Sequence, residues 1–258
     1  MTTNKGSMTV DMRTVGEVMG SRAAFYRLMA RLFLKPLEAD DIEALTAMNF
    51  VAQAAALSDD EDAADSEGEK ASAKKGAASN SLLVRGLNDM GRGLRRQHTG
   101  TRTLLATDYT MCFDGIRQHD GKTASPYASV FLSKDGLLYQ EPRNSVFLLF
   151  LQSGLNLKPG IDLPEDHISF ELEYLAILAE RAQAALEDGR ADDAAQIIEQ
   201  SQAFLENHVS TWLPDFTALA GEILETRFYQ GVVKAAAGYA ELDVDTLADS
   251  LEICREAA

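Results

Sequence analysis

The residue types best suited to chemistry are crowded into one stretch, DLPEDHISFELEYL, residues 162–175. His167 and Glu171 stand four apart, so a helix would place both on one face. With a third ligand that spacing holds a metal ion. Without a second ligand cluster it reads as a hydrogen bond at a helix start. Asp162 and Glu165 have capping-box spacing, with Pro164 in the first turn, where its missing N–H costs nothing. Asp166 would then lie in that first turn, where the helix dipole favours a carboxylate. Such a carboxylate accepts both N–H groups of an arginine fork, and His167 beside it would make the grip depend on pH. The motif alone leaves three readings: a metal site, an acid–base pair, or an edge that holds another molecule.

The rest of the chain offers little catalytic machinery. It has no Gly-x-x-x-x-Gly-Lys, no Gly-x-Gly-x-x-Gly and no His-Glu-x-x-His. Helical di-iron sites need Glu-x-x-His, but Pro164 and Leu205 stand three residues before His167 and His208. Ser125 and Ser129 have no evident His–Asp partner. His208, on an apolar face near Trp212, reads as a hydrogen-bonded core histidine. Cys112 and Cys254 lack zinc or redox spacing, which suits a reducing compartment. The formal net charge of -16 argues against nucleic acid and favours attraction of a basic peptide.

The elements that must position these residues have helical periodicity. The spacing predicts helices over 19–34, 38–57, 81–97, 103–118, 142–154, 162–187, 191–208 and 215–238, with a short one after Asp245. In the first, Arg22, Arg27 and Arg31 mark the wet side. The 162–187 helix carries two apolar stripes, as a helix packed on two sides does. Residues 127–132, between Pro126 and Gly136, fit a short strand or a short helix. Residues 58–81 contain no large apolar side chain and read as a mobile acidic insertion. The expectation is an all-α chain: a single helical-bundle domain over 19–240 with a disordered acidic insertion. A flexible N-terminus (1–18) and a short C-terminal helix (241–258) flank it, and 155–163 is a candidate hinge. The first twelve residues lack an apolar signal core, and VFLLFL (146–151) is too short to span a bilayer. A soluble cytoplasmic protein is therefore expected.

Five segments, in order, resemble one family: DYTMCF (108–113), SPYASVFLS (125–133), LLYQEP (137–142), LPEDHISFELEYLAIL (163–178) and FLENHVSTWLPDF (204–216). They look like the TorD/DmsD/NarJ-type redox-enzyme maturation chaperones, closest to the TorD/DmsD branch, over about 20–235. The most specific motif is Pro-x-Asp-His ahead of an amphipathic helix. His208, Trp212, Pro214 and Phe216 reinforce it. The basic run at 92–102 and the acidic run before it depart from the family pattern.

The resemblance implies an all-helical, non-enzymatic chaperone in the cytoplasm. Its partners would be the twin-arginine signal peptide and the apo form of a molybdoenzyme catalytic subunit. The chaperone would delay export until the client's molybdopterin is in place. It implies no permanently bound cofactor, and it allows weak guanine-nucleotide binding; the residues themselves give no metal site. It allows a monomer or a domain-swapped dimer. By similarity, Pro164, Asp166, His167 and Glu171 belong to the leader-binding region, with Ser125, Pro126, Tyr127 and Phe131 along the neighbouring groove. Tyr109 and Phe113 are either groove or core. The competing readings are a nucleotide-binding or hydrolysing enzyme, for which no phosphate loop is present, and a structural adaptor in which 162–175 is only a cap and hinge.

Overall fold

The computed structural model describes residues 3–59 and 72–257, with side chains over 11–58 and 80–257. The ordered elements are helical: α1 (Thr3–Leu34), α2 (Ala39–Ala47), α3 (Phe50–Asp59), α4 (Ser72–Gly93), α5 (Thr101–Phe113), α6 (Ala128–Leu132), α7 (Glu141–Gln152), α8 (Ile168–Glu187), α9 (Ala191–Phe204), α10 (Ser210–Ile223) and α11 (Arg227–Ala257). A π-turn, Leu205–Val209, joins α9 to α10. The fold is all-α, as the periodicity predicts. Among the described residues, no helix is long and apolar enough to cross a membrane. Residues 60–71 of the expected insertion lie outside the described residues.

Within this helical fold the chain groups into two compact units. The first comprises Met1–Arg31, Tyr127–Thr211 and Asp243–Ala258; the second comprises Leu32–Pro126 and Trp212–Leu242. The chain passes between units within α1, before Tyr127, within α10 and within α11. The 155–163 connection, the candidate hinge, lies inside the first unit. Helix α1 starts well before residue 19, because Val15 and Met19 extend its apolar face into the core. The C-terminal helix is the end of α11, with Leu247, Leu251 and Cys254 buried along it.

In the first unit, α8 is the central element. Its two stripes are buried as expected, from Ile168 and Leu172 to Ala182 and from Phe170 to Tyr174. Gly189, at φ +74, ends it. The amides of Gly189 and Arg190 donate back to the carbonyls of Leu186 and Ala185, the paired bonds of a Schellman stop. Arg22 does not lie on the wet side. It is 1% exposed, and its Nε and Nη2 donate to the two oxygens of buried Asp243 at 2.6 and 2.8 Å. Tyr26 donates to the same carboxylate at 2.7 Å, and Arg22 also reaches the Ser201 hydroxyl.

In the second unit, the predicted 38–57 helix is two helices, broken at Asn49, which adopts φ +48. Asn tolerates that left-handed conformation better than most residues. Helices α4 and α11 cross closely at two glycines: a Cβ on Gly86 would stand 2.4 Å from the Ala235 nitrogen, and one on Gly231 2.5 Å from that of Met90. Asp108, from α5, accepts hydrogen bonds from the Glu225 and Thr226 amides at 2.9 and 2.8 Å and from the Thr226 hydroxyl. It thereby caps the start of α11, across the break that divides the predicted 215–238 helix.

Candidate functional site

The 162–167 segment does not begin the helix. It forms a turn, with the His167 amide donating to the Pro164 carbonyl, and α8 begins at Ile168. The Asp162–Glu165 capping box is therefore not formed. His167 is the N-cap instead: its Nδ1 accepts the Ser169 amide at 3.1 Å. Its ring packs edge-on against Tyr127 at 4.8 Å and tilted against Phe170 at 5.7 Å. His167 is 3% exposed, and burial lowers its pKa to about 3, so it stays neutral at physiological pH. Burial thus opposes the charged form on which the expected pH-dependent grip depends, because a buried cation loses its hydration.

Asp166 turns the other way. Its backbone carbonyl accepts the Ala128 amide at 3.0 Å, and Tyr127 and His167 form an antiparallel bridge. Its Oδ2 accepts the Ser129 amide at 2.7 Å, so one residue caps α6 with both backbone and side chain. This settles 127–132 as one strand-like residue followed by a short helix. Asp166 is 0% exposed, and Oδ1 has no hydrogen-bond partner among the described residues. Burial raises its pKa, while hydrogen bonds from Ser129 oppose the rise. A carboxylate so enclosed does not present itself to an incoming arginine fork. Pro164 and Glu171 are likewise buried. These residues form a frame behind a surface.

Asp166 offers a direct check of this frame. Asp166→Asn keeps an acceptor for the Ser129 amide and removes a buried charge, so it should leave stability unchanged or raised near pH 7. Asp166→Ala removes the cap and should cost about 1–2 kcal/mol. The raised folded pKa means that the folded state binds more protons than the unfolded chain just above the ordinary carboxylate pKa. The Asp166 contribution is therefore largest in acid and is lost as pH rises through the folded value. Chemical denaturation of the parent and both variants at pH 5 and pH 7 measures each effect.

What the frame positions is an apolar surface. The Ser129 hydroxyl accepts the amide of Gln140, the N-cap of α7, and Arg143 of α7 makes a two-pronged pair with Glu165. The Arg143 guanidinium also lies 4.8 Å over the Phe147 ring. Between α6 and α7 the chain exposes Leu137 (59%), Leu138 and Tyr139 (60%), and the helices add Leu132, Leu148 and Leu151. Tyr139 sits at φ +61, a left-handed conformation uncommon for an aromatic residue. Three consecutive exposed apolar residues signal either a design fault or a function. That run is legible in the sequence as Leu-Leu-Tyr between Gly136 and Pro142, but three residues are too few to carry a period.

Tyr127 and Phe131 are half-buried in this same unit. Ser125, Pro126, Tyr109 and Phe113 belong to the second unit. Tyr109 and Phe113 are core rather than groove. They are 4% and 2% exposed, the Tyr109 hydroxyl donates to the Phe33 carbonyl at 2.7 Å, and their rings meet Phe33, Phe216 and Tyr229 edge-on or tilted at 5–6 Å. Burial pushes the Cys112 thiol well above the ordinary range, with Asp108 adding to the effect, so it is an unreactive packing residue. His208 is half-buried and stacks on Phe204 at 4.9 Å. Among the described residues, no cluster of three His, Cys, Asp or Glu could hold a metal ion.

Residues 77–218 match the family model described as nitrate reductase delta subunit. The chain is 31% identical over 174 residues to the chaperone protein TorD of Vibrio vulnificus (strain YJ016), covering 67% of this chain and 78% of that one. It is 29% identical to the chaperone protein TorD of Psychrobacter sp. (strain PRwf-1), covering 90% and 94%. It is 25% identical to that of Vibrio parahaemolyticus serotype O3:K6, covering 90% and 97%. With the family model spanning more than half of its length and relatives aligned along most of theirs, the chain belongs to the nitrate reductase delta subunit family, as a TorD-type maturation chaperone.

Proposed function

We propose that this protein is the cytoplasmic, non-enzymatic chaperone of a molybdenum-containing oxidoreductase. It binds the client's twin-arginine leader and apo form, assists insertion of the molybdopterin cofactor and delays export. The observation that carries this reading is the exposed apolar surface of the α6–α7 segment, Leu132, Leu137, Leu138, Tyr139, Leu148 and Leu151. An amphipathic leader that folds against a groove needs such a surface for its apolar face. The net charge of -16 supplies long-range attraction for the basic end.

Calorimetric titration with a twin-arginine leader, taken from a molybdoenzyme encoded near this protein, tests the reading. The expected result is binding that weakens for a Lys-Lys leader and at higher salt. Tyr139→Gly is the informative variant. It removes the ring and relieves the left-handed backbone, so stability should hold or rise while affinity falls about ten-fold. Absence of binding to every neighbouring leader would overturn leader recognition.

A further inference from the structure

With Asp166 enclosed, an arginine-bearing leader needs carboxylates elsewhere. Glu173 and Glu180 stand seven residues apart on one side of α8, 39% and 46% exposed at their side chains. Both hold the guanidinium of Arg27 from α1. Arg27 Nε and Nη2 donate to the two oxygens of Glu180 at 2.7 and 2.6 Å, and Nη1 donates to Glu173. The site thus already binds a guanidinium with fork geometry, and it does so with two carboxylates for one cation. A net negative charge remains after Arg27 is counted.

The same side of α8 borders an apolar cavity. Phe170, Glu173, Tyr174 and Ile177 line it from α8, Phe150 lines it from α7, and Leu155 and Leu157 close it, around about 90 Å³. That is room for one aliphatic side chain, smaller than the ~150 Å³ engineered cavity that takes benzene. Glu173 is shared by the cation site and the cavity. The pairing of a guanidinium acceptor with an adjacent one-residue apolar socket matches a peptide in which arginine is followed by an apolar residue. Phe150 adjoins Leu151, which belongs to the exposed α6–α7 surface, so socket and surface share α7.

We propose that Glu173 and Glu180 are the guanidinium subsite for the leader, that the α7–α8 cavity takes its apolar side chain, and that Arg27 occupies the subsite as a built-in competitor that the leader displaces. This rests on the leader-binding reading and extends it. An exposed ion pair is worth little in stability, so removing Arg27 leaves the fold intact while freeing both carboxylates. The parent, Arg27→Gln and the double variant Glu173→Gln/Glu180→Gln are titrated with the twin-arginine leader and its Lys-Lys form, with thermal melts of each. Arg27→Gln should bind the twin-arginine leader about five-fold more tightly. The double variant should bind it several-fold more weakly and lose the preference for Arg over Lys. If the parent binds the leader and Arg27→Gln binds no better, or the double variant keeps its preference, the subsite is overturned while the chaperone reading stands. If none of the three binds any leader, both fall.

Discussion

Replacing Asp243 with alanine is expected to cost about 3–5 kcal/mol, enough to unfold most of a marginally stable chain. Arg22 and Asp243 are each 1% exposed at their side chains, and the carboxylate also accepts the Tyr26 hydroxyl. Removing Asp243 would strip the buried guanidinium and the phenol of the carboxylate they share. The cost is the desolvation penalty of what remains, not the attraction that is lost. A double replacement, Arg22→Met with Asp243→Leu, should therefore recover much of the loss. Urea denaturation of parent, single and double variants separates the two accounts. A single variant within 1 kcal/mol of the parent would show that the pair is not buried in solution. The pair ties the start of the chain to its end and, through Ser201, to α9.

The second large effect is on acid stability. His167 has an ordinary pKa of 6.5 when unfolded and one of about 3 when folded, lowered by burial. Between these values the unfolded chain binds the extra proton, so stability rises with pH and is lost as pH falls. At pH 5 the loss amounts to about 2 kcal/mol relative to pH 8, and it grows further toward pH 3. Other groups with shifted pKa values modify the slope. Burial lowers the His208 pKa, which adds in the same direction, while Asp166, with its raised pKa, opposes it. His167→Asn isolates the effect, since asparagine is a strong N-cap and does not titrate. It should lower stability near neutral pH through lost ring packing but flatten the slope between pH 4 and 6.5, so that the deficit shrinks in acid. An unchanged slope in denaturation measured across that range would assign the acid sensitivity to other groups.

The geometry divides the 162–175 motif by role. The residues that stand out in the sequence for their chemistry, Asp166 and His167, are the ones the structure withdraws from solvent. Each satisfies a backbone amide at a helix start, Asp166 for α6 and His167 for α8. Their polarity serves positioning. The groups to which the proposed leader binding assigns a partner are less conspicuous: Leu137, Leu138 and Tyr139 in a turn, and two glutamates on α8. This is consistent with a chaperone surface, where recognition rests on exposed apolar area and paired charge and not on a reactive side chain.

The sequence by itself determined the helical class, the stripes of α8 and the absence of familiar catalytic motifs. Local periodicity and composition suffice for these, because 3.6-residue spacing and turn residues act within one element. Its ordered motifs also carried the family resemblance. Only the tertiary structure decided where the polar residues go. Arg22 looks like a surface arginine until Asp243, 221 residues away, meets it. Asp166 looks like a helix-start carboxylate until the amide of Ser129, 37 residues away, occupies it. Tyr109 and Phe113 remain groove or core until Phe33, Phe216 and Tyr229 close around them. Burial and partner choice are long-range properties. They depend on which elements cross, and a crossing such as that of Gly86 with Gly231 has no signature within either helix alone.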